Sequence, residues 1–339
     1  MTSEVTGTTA PGSGRNSTPK RGLAIGCGGT LGFAWTVAAL ASVRDALDWD
    51  PREATAIIGT SAGAEFVTML GSGVGVDEPV AMQLGDPAAR PELLAHIASA
   101  PGKVPPLPRL GIGNPRLVTR RDLPFLSRMS GIAPVGGGDP SWLTTLAESL
   151  APGDAWLPHP CAHMVSMDYK TGRRVAFGAQ GAPKATVGEA LRASWAIPGW
   201  FPPVTIGGVR YIDGGAASTA SVDLLLPLAL DELVVLAPMA SRTLKPARVP
   251  PASNAAPCAT PCPKASIVRS ICARCGHQGL ANRCHRRRSC RHGRQLHGQS
   301  TAARHLRIIA AYDTCEREAR TRYAPVPRHP LPPVKAQSQ

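Results

Sequence analysis

An α/β fold with a largely parallel sheet is what residues 21–240 predict. Short apolar runs alternate with helix-like stretches from Arg21 to about Pro238, the order in which parallel strands are joined by crossover helices. Two of these runs lead straight into glycine-containing turns followed by apolar helical sequence. Near residue 240 the composition breaks, and the alternation ends there.

Gly22 to Ile25 reads as the first strand, followed by a Gly-rich turn and a helix from about Leu31 to Leu47. Ala54 to Ile58 reads as the second strand and runs into Gly59 to Gly63, after which Glu65 to Leu70 looks helical. Residues 71–140 are rich in Gly and Pro, include Pro101 through Pro108 and show no clean period. They are expected as an irregular excursion over the surface, of a kind that can cover a site. Ser141 to Leu150 reads as a helix, Ala162 to Met167 and Arg174 to Phe177 as strands, and Val187 to Ala196 as a helix. Val204 to Ile206 and Val209 to Ile212 form a hairpin around Gly207 and Gly208, ending at Asp213, and Leu233 to Leu236 is the last strand.

The chain has 339 residues, enough for one large domain with appendages. Lys and Arg number 18 against 20 Asp and Glu over residues 1–240, and 19 against 3 over 241–339. The formal +14 therefore divides into −2 and +16. Leu, Ile, Val and Phe make up 13 of the last 99 residues, and Trp, Phe and Met are absent there. That is below the roughly 20% at which a highly charged chain reads as disordered. Residues 1–20 are rich in Ser, Thr and Gly, lack a secretory apolar run and read as a disordered leader. The run from Val222 to Ala240 is broken by Asp223, Asp231 and Glu232, short of the ~18 residues of a membrane span. Only Cys27 and Cys161 precede residue 240, which suits a reducing compartment. A soluble cytoplasmic protein is expected, with peripheral membrane contact left open.

Gly59, Ser61 and Gly63 have the Gly-x-Ser-x-Gly spacing of a nucleophile elbow, in which a tight strand-to-helix turn lifts a serine hydroxyl out of the sheet. The competing reading is a plain helix N-cap. The earlier turn, Gly26 to Gly32, permits an oxyanion hole built from the Gly28 and Gly29 N–H groups. It also permits dinucleotide binding, but that fingerprint needs glycine where Cys27 stands and an acid at the end of the second strand, where Gly59 and Thr60 stand. A serine nucleophile needs a base. His159 and His163 precede Asp213, and the later histidines fall in the basic tail, so the hydrolase order of Ser, acid, His is not met. Asp213, at the end of a strand and followed by Gly214 and Gly215, is the better candidate, against the plainer reading of a turn acid.

In this order the three pieces resemble the patatin-like phospholipase family: Gly28, Gly29 and Gly32, then Gly59, Ser61 and Gly63, then Asp213, Gly214 and Gly215. Ala193 to Pro203 also looks like the stretch that leads to the family's aspartate. The chain departs at Cys27, which replaces the loop's first glycine, and at Leu31, where most members carry Arg or Lys. The resemblance implies a three-layer α/β/α domain over 21–240 and a Ser-Asp dyad acting through an acyl-enzyme. Ser61 would be nucleophile, Asp213 base, and Gly28 and Gly29 the oxyanion donors. It further implies a lipid ester substrate, with no metal or organic cofactor.

The segment 241–339 has the composition of a GC-rich gene read out of frame, so a disordered or frame-shifted tail is expected, and a catalytically inactive remnant is the rival to the enzyme. Cys272, Cys275, Cys284 and Cys290 carry the residue types of a zinc site without the apolar surroundings of one. Arg286 to Arg288 could hold anionic membrane or nucleic acid by charge alone, and lipid is favoured over nucleic acid.

Overall fold

Leu23 and Ile25, Ile57, Val234 and Leu236 point to one side of a sheet, while Ala24, Ala56, Ile58, Leu233 and Val235 point to the other, and all are buried. Strands apolar on both faces belong to the interior of a parallel sheet covered on both sides. The computed structural model describes residues 18–102 and 105–240, with the strands at 268–271 and 306–311. In chain order these form β1 (Arg21–Ile25), α1 (Gly29–Leu47), β2 (Ala56–Thr60), α2 (Ala62–Gly71), α3 (Asp77–Leu84), α4 (Pro91–Ala98), β3 (Arg109–Ile112) and α5 (Phe125–Ser130). There follow β4 (Pro134–Val135), α6 (Ser141–Leu150), β5 (Ala162–Asp168), β6 (Arg174–Phe177), α7 (Val187–Ser194), β7 (Val204–Ile206), β8 (Val209–Asp213) and β9 (Glu232–Leu236). β10 (Val268–Ile271) and β11 (Leu306–Ala311) complete them.

The fold is the expected three-layer α/β/α class. Its sheet runs β10-β11-β9-β1-β2-β5-β8-β7, with β6 on β5, and the neighbours from β11 to β5 are all parallel. The larger core packs α1, α2, α6 and α7 on one face. Among the described residues the other face is covered by the 3-10 stretch Val222–Leu228, through Leu225, and by Leu230. No helix among the described residues is long and apolar enough to cross a membrane.

Strand β5 controls the placement of the site. Ala162 to Val165 pair with Ile57 to Thr60 of β2, while Ser166 to Asp168 pair with Asp213 to Tyr211 of β8. Strand β6 pairs with Met164 to Met167, overlapping both sets, so it takes the opposite edge of β5. β2 and β8 therefore share one edge. β2 runs up it and stops at Thr60 opposite Val165; β8 runs down it and stops at Asp213 opposite Ser166. The two strands meet end to end.

Residues 71–140 are more regular than their composition suggests. Three helices form there, because Pro91 occupies the first turn of α4, where its missing N–H costs nothing, and Pro79 likewise lies in the first turn of α3. These prolines start helices instead of breaking them. The composition of 241–339 predicts a largely unpacked tail; of its described residues, β11 pairs in parallel with β9 and β10 antiparallel with β11. Both strands come from short apolar islands that a count over 99 residues averages away. The rest of that segment, with Cys272, Cys275, Cys284, Cys290 and Arg286 to Arg288, and residues 1–17 of the leader lie outside the described residues.

Candidate active site

Beyond the ends of β2 and β8 the chain turns sharply, and Ser61 sits at the first of these turns with φ 56 and ψ −121. A non-glycine residue in that region carries strain of roughly 1–3 kcal/mol, which persists only where the surroundings enforce it. Here the glycines on either side are enforced too. A Cβ on Gly59 would fall 2.2 Å from the Gly63 carbonyl oxygen, and one on Gly63 would fall 2.1 Å from the Ile25 carbonyl oxygen. The strand and helix thus approach so closely that only glycine fits. Ser61 precedes α2 without capping it through its side chain, so the hydroxyl is not spent as an N-cap.

The hydroxyl is near enough to the Asp213 carboxyl to help hold its pKa down against burial. Asp213 Oδ1 accepts the Gly215 N–H at 2.6 Å, and the Asp213 N–H donates to the Ala196 carbonyl at 3.0 Å. Gly214 packs against the backbone of Val165, where its missing side chain leaves room. Burial pushes the Asp213 carboxyl up to about 6, and the bond from Gly215 and the nearby Ser61 hydroxyl partly oppose this. Both residues are almost wholly buried, Ser61 at 1% and Asp213 at 5% exposure.

The Gly-rich turn lies beside them at the end of β1. Its Gly26 and Cys27 N–H groups donate to the Leu236 and Thr219 carbonyls, and the Gly32 N–H to the Gly28 carbonyl. Among the described residues no hydrogen bond takes up the N–H groups of Gly28 and Gly29. They stand at the start of α1, where unpaired donors and the helix dipole favour negative charge. Cys27 lies between Gly215 and Met239, its Sγ 3.6 Å from the Met239 Sδ. Burial first, and then the charge of Asp213, push its thiol up to about 12, so at neutral pH it holds its proton. Leu31 projects from the same turn and is 81% exposed.

One residue that the sequence alone did not single out ties these parts together. Ser194, at the end of α7 and fully buried, accepts the Ser61 N–H at 2.9 Å and donates to the Val165 carbonyl at 2.7 Å. It fixes the elbow backbone on β5, and it withdraws the Ser61 N–H from any oxyanion role. Its signal lies within Ala193 to Pro203, a stretch that carries the family likeness but no spacing that foretells a bond. His159 and His163 stand apart from the site. The His159 Nε2 contacts the Ala54 carbonyl ahead of β2, and His163 pairs with Ile58 and lies 3.7 Å from the Cys161 Sγ.

Behind the elbow, Glu65 of α2 is buried with its Oε2 2.6 Å from the His96 Nε2 and its Oε1 accepting the Trp195 Nε1–H at 2.8 Å. His96 stacks on Trp142, which meets Trp195 edge to face. Burial holds the Glu65 carboxyl above its usual range, against the pull of His96 and Trp195.

Comparison with curated proteins finds no match. Among solved structures, VipD from Legionella pneumophila is similar at 14% identity and a TM-score of 0.34, over 65% of this chain and 50% of that protein, so the chain spans half its length. A model of the patatin-like phospholipase family matches residues 23–226. That match begins in β1, takes in both glycine turns, the elbow and Asp213, and spans more than half of the sequence; the chain belongs to the patatin-like phospholipase family, a family of lipid acyl hydrolases.

Proposed function

We propose that residues 21–240 form a serine acyl hydrolase that cleaves fatty-acyl esters of phospholipids or related lipids through a Ser61–Asp213 dyad. The observation that carries this reading is the strained elbow that sets Ser61 beside the buried Asp213 where β2 and β8 meet end to end. Ser61 Oγ attacks the ester carbonyl carbon as its proton passes to Asp213, and the carbonyl oxygen gains the charge. The N–H groups of Gly28 and Gly29 receive that oxyanion, each such donor being worth on the order of 3 kcal/mol. Collapse of the intermediate breaks the bond to the alcohol, which leaves with the proton from Asp213. Water then attacks the acyl-enzyme, gives a proton to Asp213 and releases the fatty acid, and Ser61 recovers its proton. No step calls on a metal or an organic cofactor.

The test is turnover of a short p-nitrophenyl ester by the full chain and by Ser61→Ala, His159→Ala and His163→Ala. Ser61→Ala is expected to lose nearly all activity, while both histidine variants keep most of theirs. Absence of turnover in the unmutated chain would favour an inactive remnant. Its loss in a folded histidine variant would replace the dyad with a triad.

A further inference from the structure

The excursion between α4 and α6 is firmly held but leaves its apolar side chains outside. It is anchored through Leu117, buried with Met167, Tyr169 and Ile212. The Tyr169 hydroxyl donates to the Ser130 carbonyl at 2.6 Å, and the Asn114 side-chain amide to the Tyr169 carbonyl at 2.7 Å. Its helix α5 is fixed to the site itself. The Ser127 hydroxyl donates at 2.9 Å to the carbonyl of Ala216, three residues beyond Asp213. Yet the residues just before Ser127, Phe125 and Leu126, are 69% and 62% exposed, and Leu107, Leu110 and Ile112 are more than half exposed. So many exposed large apolar groups on an ordered segment mark an interaction surface.

The charges on the same segment identify the partner. Residues 105–138 contain five arginines and one acid, Asp122. Arg120 is paired with Asp122, and Arg128 donates to the Val118 carbonyl. Arg109, Arg116 and Arg121 are exposed, and no hydrogen bond or ion pair holds their guanidinium groups among the described residues. Unpaired guanidinium groups beside exposed Phe and Leu match a surface that is anionic outside and apolar beneath. The basic segment 241–339, at +16, is a poor occupant because like charges oppose its approach.

We infer that the segment from Leu107 to Leu126 is the face by which the protein sits on a bilayer bearing anionic lipid headgroups, inserting Phe125 and Leu126 beside the turn that carries Asp213. The inference rests on the acyl-hydrolase reading of that site. Seated so, the enzyme would have its substrate beside the helix bound to the Asp213 turn.

The test is sedimentation of the full chain with vesicles of phosphatidylcholine, with and without phosphatidylglycerol. Phe125→Ser/Leu126→Ser, Phe125→Trp and Arg109→Gln/Arg116→Gln/Arg121→Gln are compared with the unmutated protein, each also assayed on a soluble ester. Binding is expected only with phosphatidylglycerol, with at least about a tenfold loss in the Phe125/Leu126 double variant and in the triple arginine variant. Phe125→Trp should bind as well as the unmutated chain, and turnover of the soluble ester should stay intact throughout. Binding that survives both multiple substitutions, as a tail-driven contact would, overturns the inference. So does a chain that ignores vesicles but dimerises through Phe125 and Leu126. Loss of vesicle binding in these variants of a chain that never turns over ester leaves the surface standing and removes the hydrolase reading.

Discussion

The proposed mechanism asks Asp213 to be a base while buried at about pKa 6, and this sets two opposite pH responses. As a base it must be ionised, so kcat/KM for a soluble ester is expected to rise as pH increases through about 6 and to level above it. Stability moves the other way. The folded pKa lies above the unfolded value of 3.8, so between these values the native state holds more protons than the unfolded one, and this group's contribution to stability falls as pH rises. The full cost, on the order of 3 kcal/mol for a shift of about two units, is in place above the folded pKa. Asp213→Asn removes the charge, so it should abolish turnover yet melt several degrees above the unmutated chain at pH 8, with the gap closing near pH 4. Thermal melts of both proteins across that range check it. Cys27 adds no competing nucleophile, because its thiol stays protonated.

At the scale of elements, α2 is held by more than its apolar face. Glu65, His96 and Trp195 join α2 to α4 and to the end of α7 in one buried polar contact. Glu65→Leu would leave the His96 and Trp195 donors without an acceptor, and breaking a buried pair in this way costs roughly 3–5 kcal/mol. A fall in denaturant midpoint that matches this cost is the expected result; an unchanged midpoint would mean that the cluster repacks freely. The elements were legible in the sequence where apolar runs carried a clear period. Predicted ends for β1, β2, β5, β6, β7, β8 and β9 lie within two residues of those observed, and so do those of α6 and α7. Residues 71–140 were less legible because Pro79 and Pro91 look the same in sequence whether they start a helix or stop one. Glu65 was legible only as part of a helix, since its partners His96 and Trp195 come from distant segments. The turns that hold Ser61, Asp213, Gly28 and Gly29 were legible because glycine spacing records close backbone approach. Ser194 was not, because a side chain bonded to two backbone groups leaves no spacing of its own.

Across the whole molecule, the basic segment adds β11 and β10 to the side of the sheet away from β8. Ending the chain after Ala240 would expose the edge of β9, an apolar strand buried along its whole length, and exposed edges of that kind promote association. The shortened protein is expected to turn over ester at nearly the full rate per soluble molecule but to aggregate at lower concentration. Light scattering beside an ester assay measures both. A soluble product with no turnover would show that the segment shapes the site after all.

The end-to-end meeting of β2 and β8 makes β5 a splint. Ser61 and Asp213 are far apart along the chain, and what sets the gap between them is how many residues of β5 each strand occupies before it stops. A splint sets length as well as direction. One residue added between Val165 and Ser166 would draw the two halves of the proposed dyad apart by about 3.3 Å, one strand rise, and turn the following side chains to the opposite face. The site is therefore less tolerant of a change in the length of this strand than of most changes in its composition.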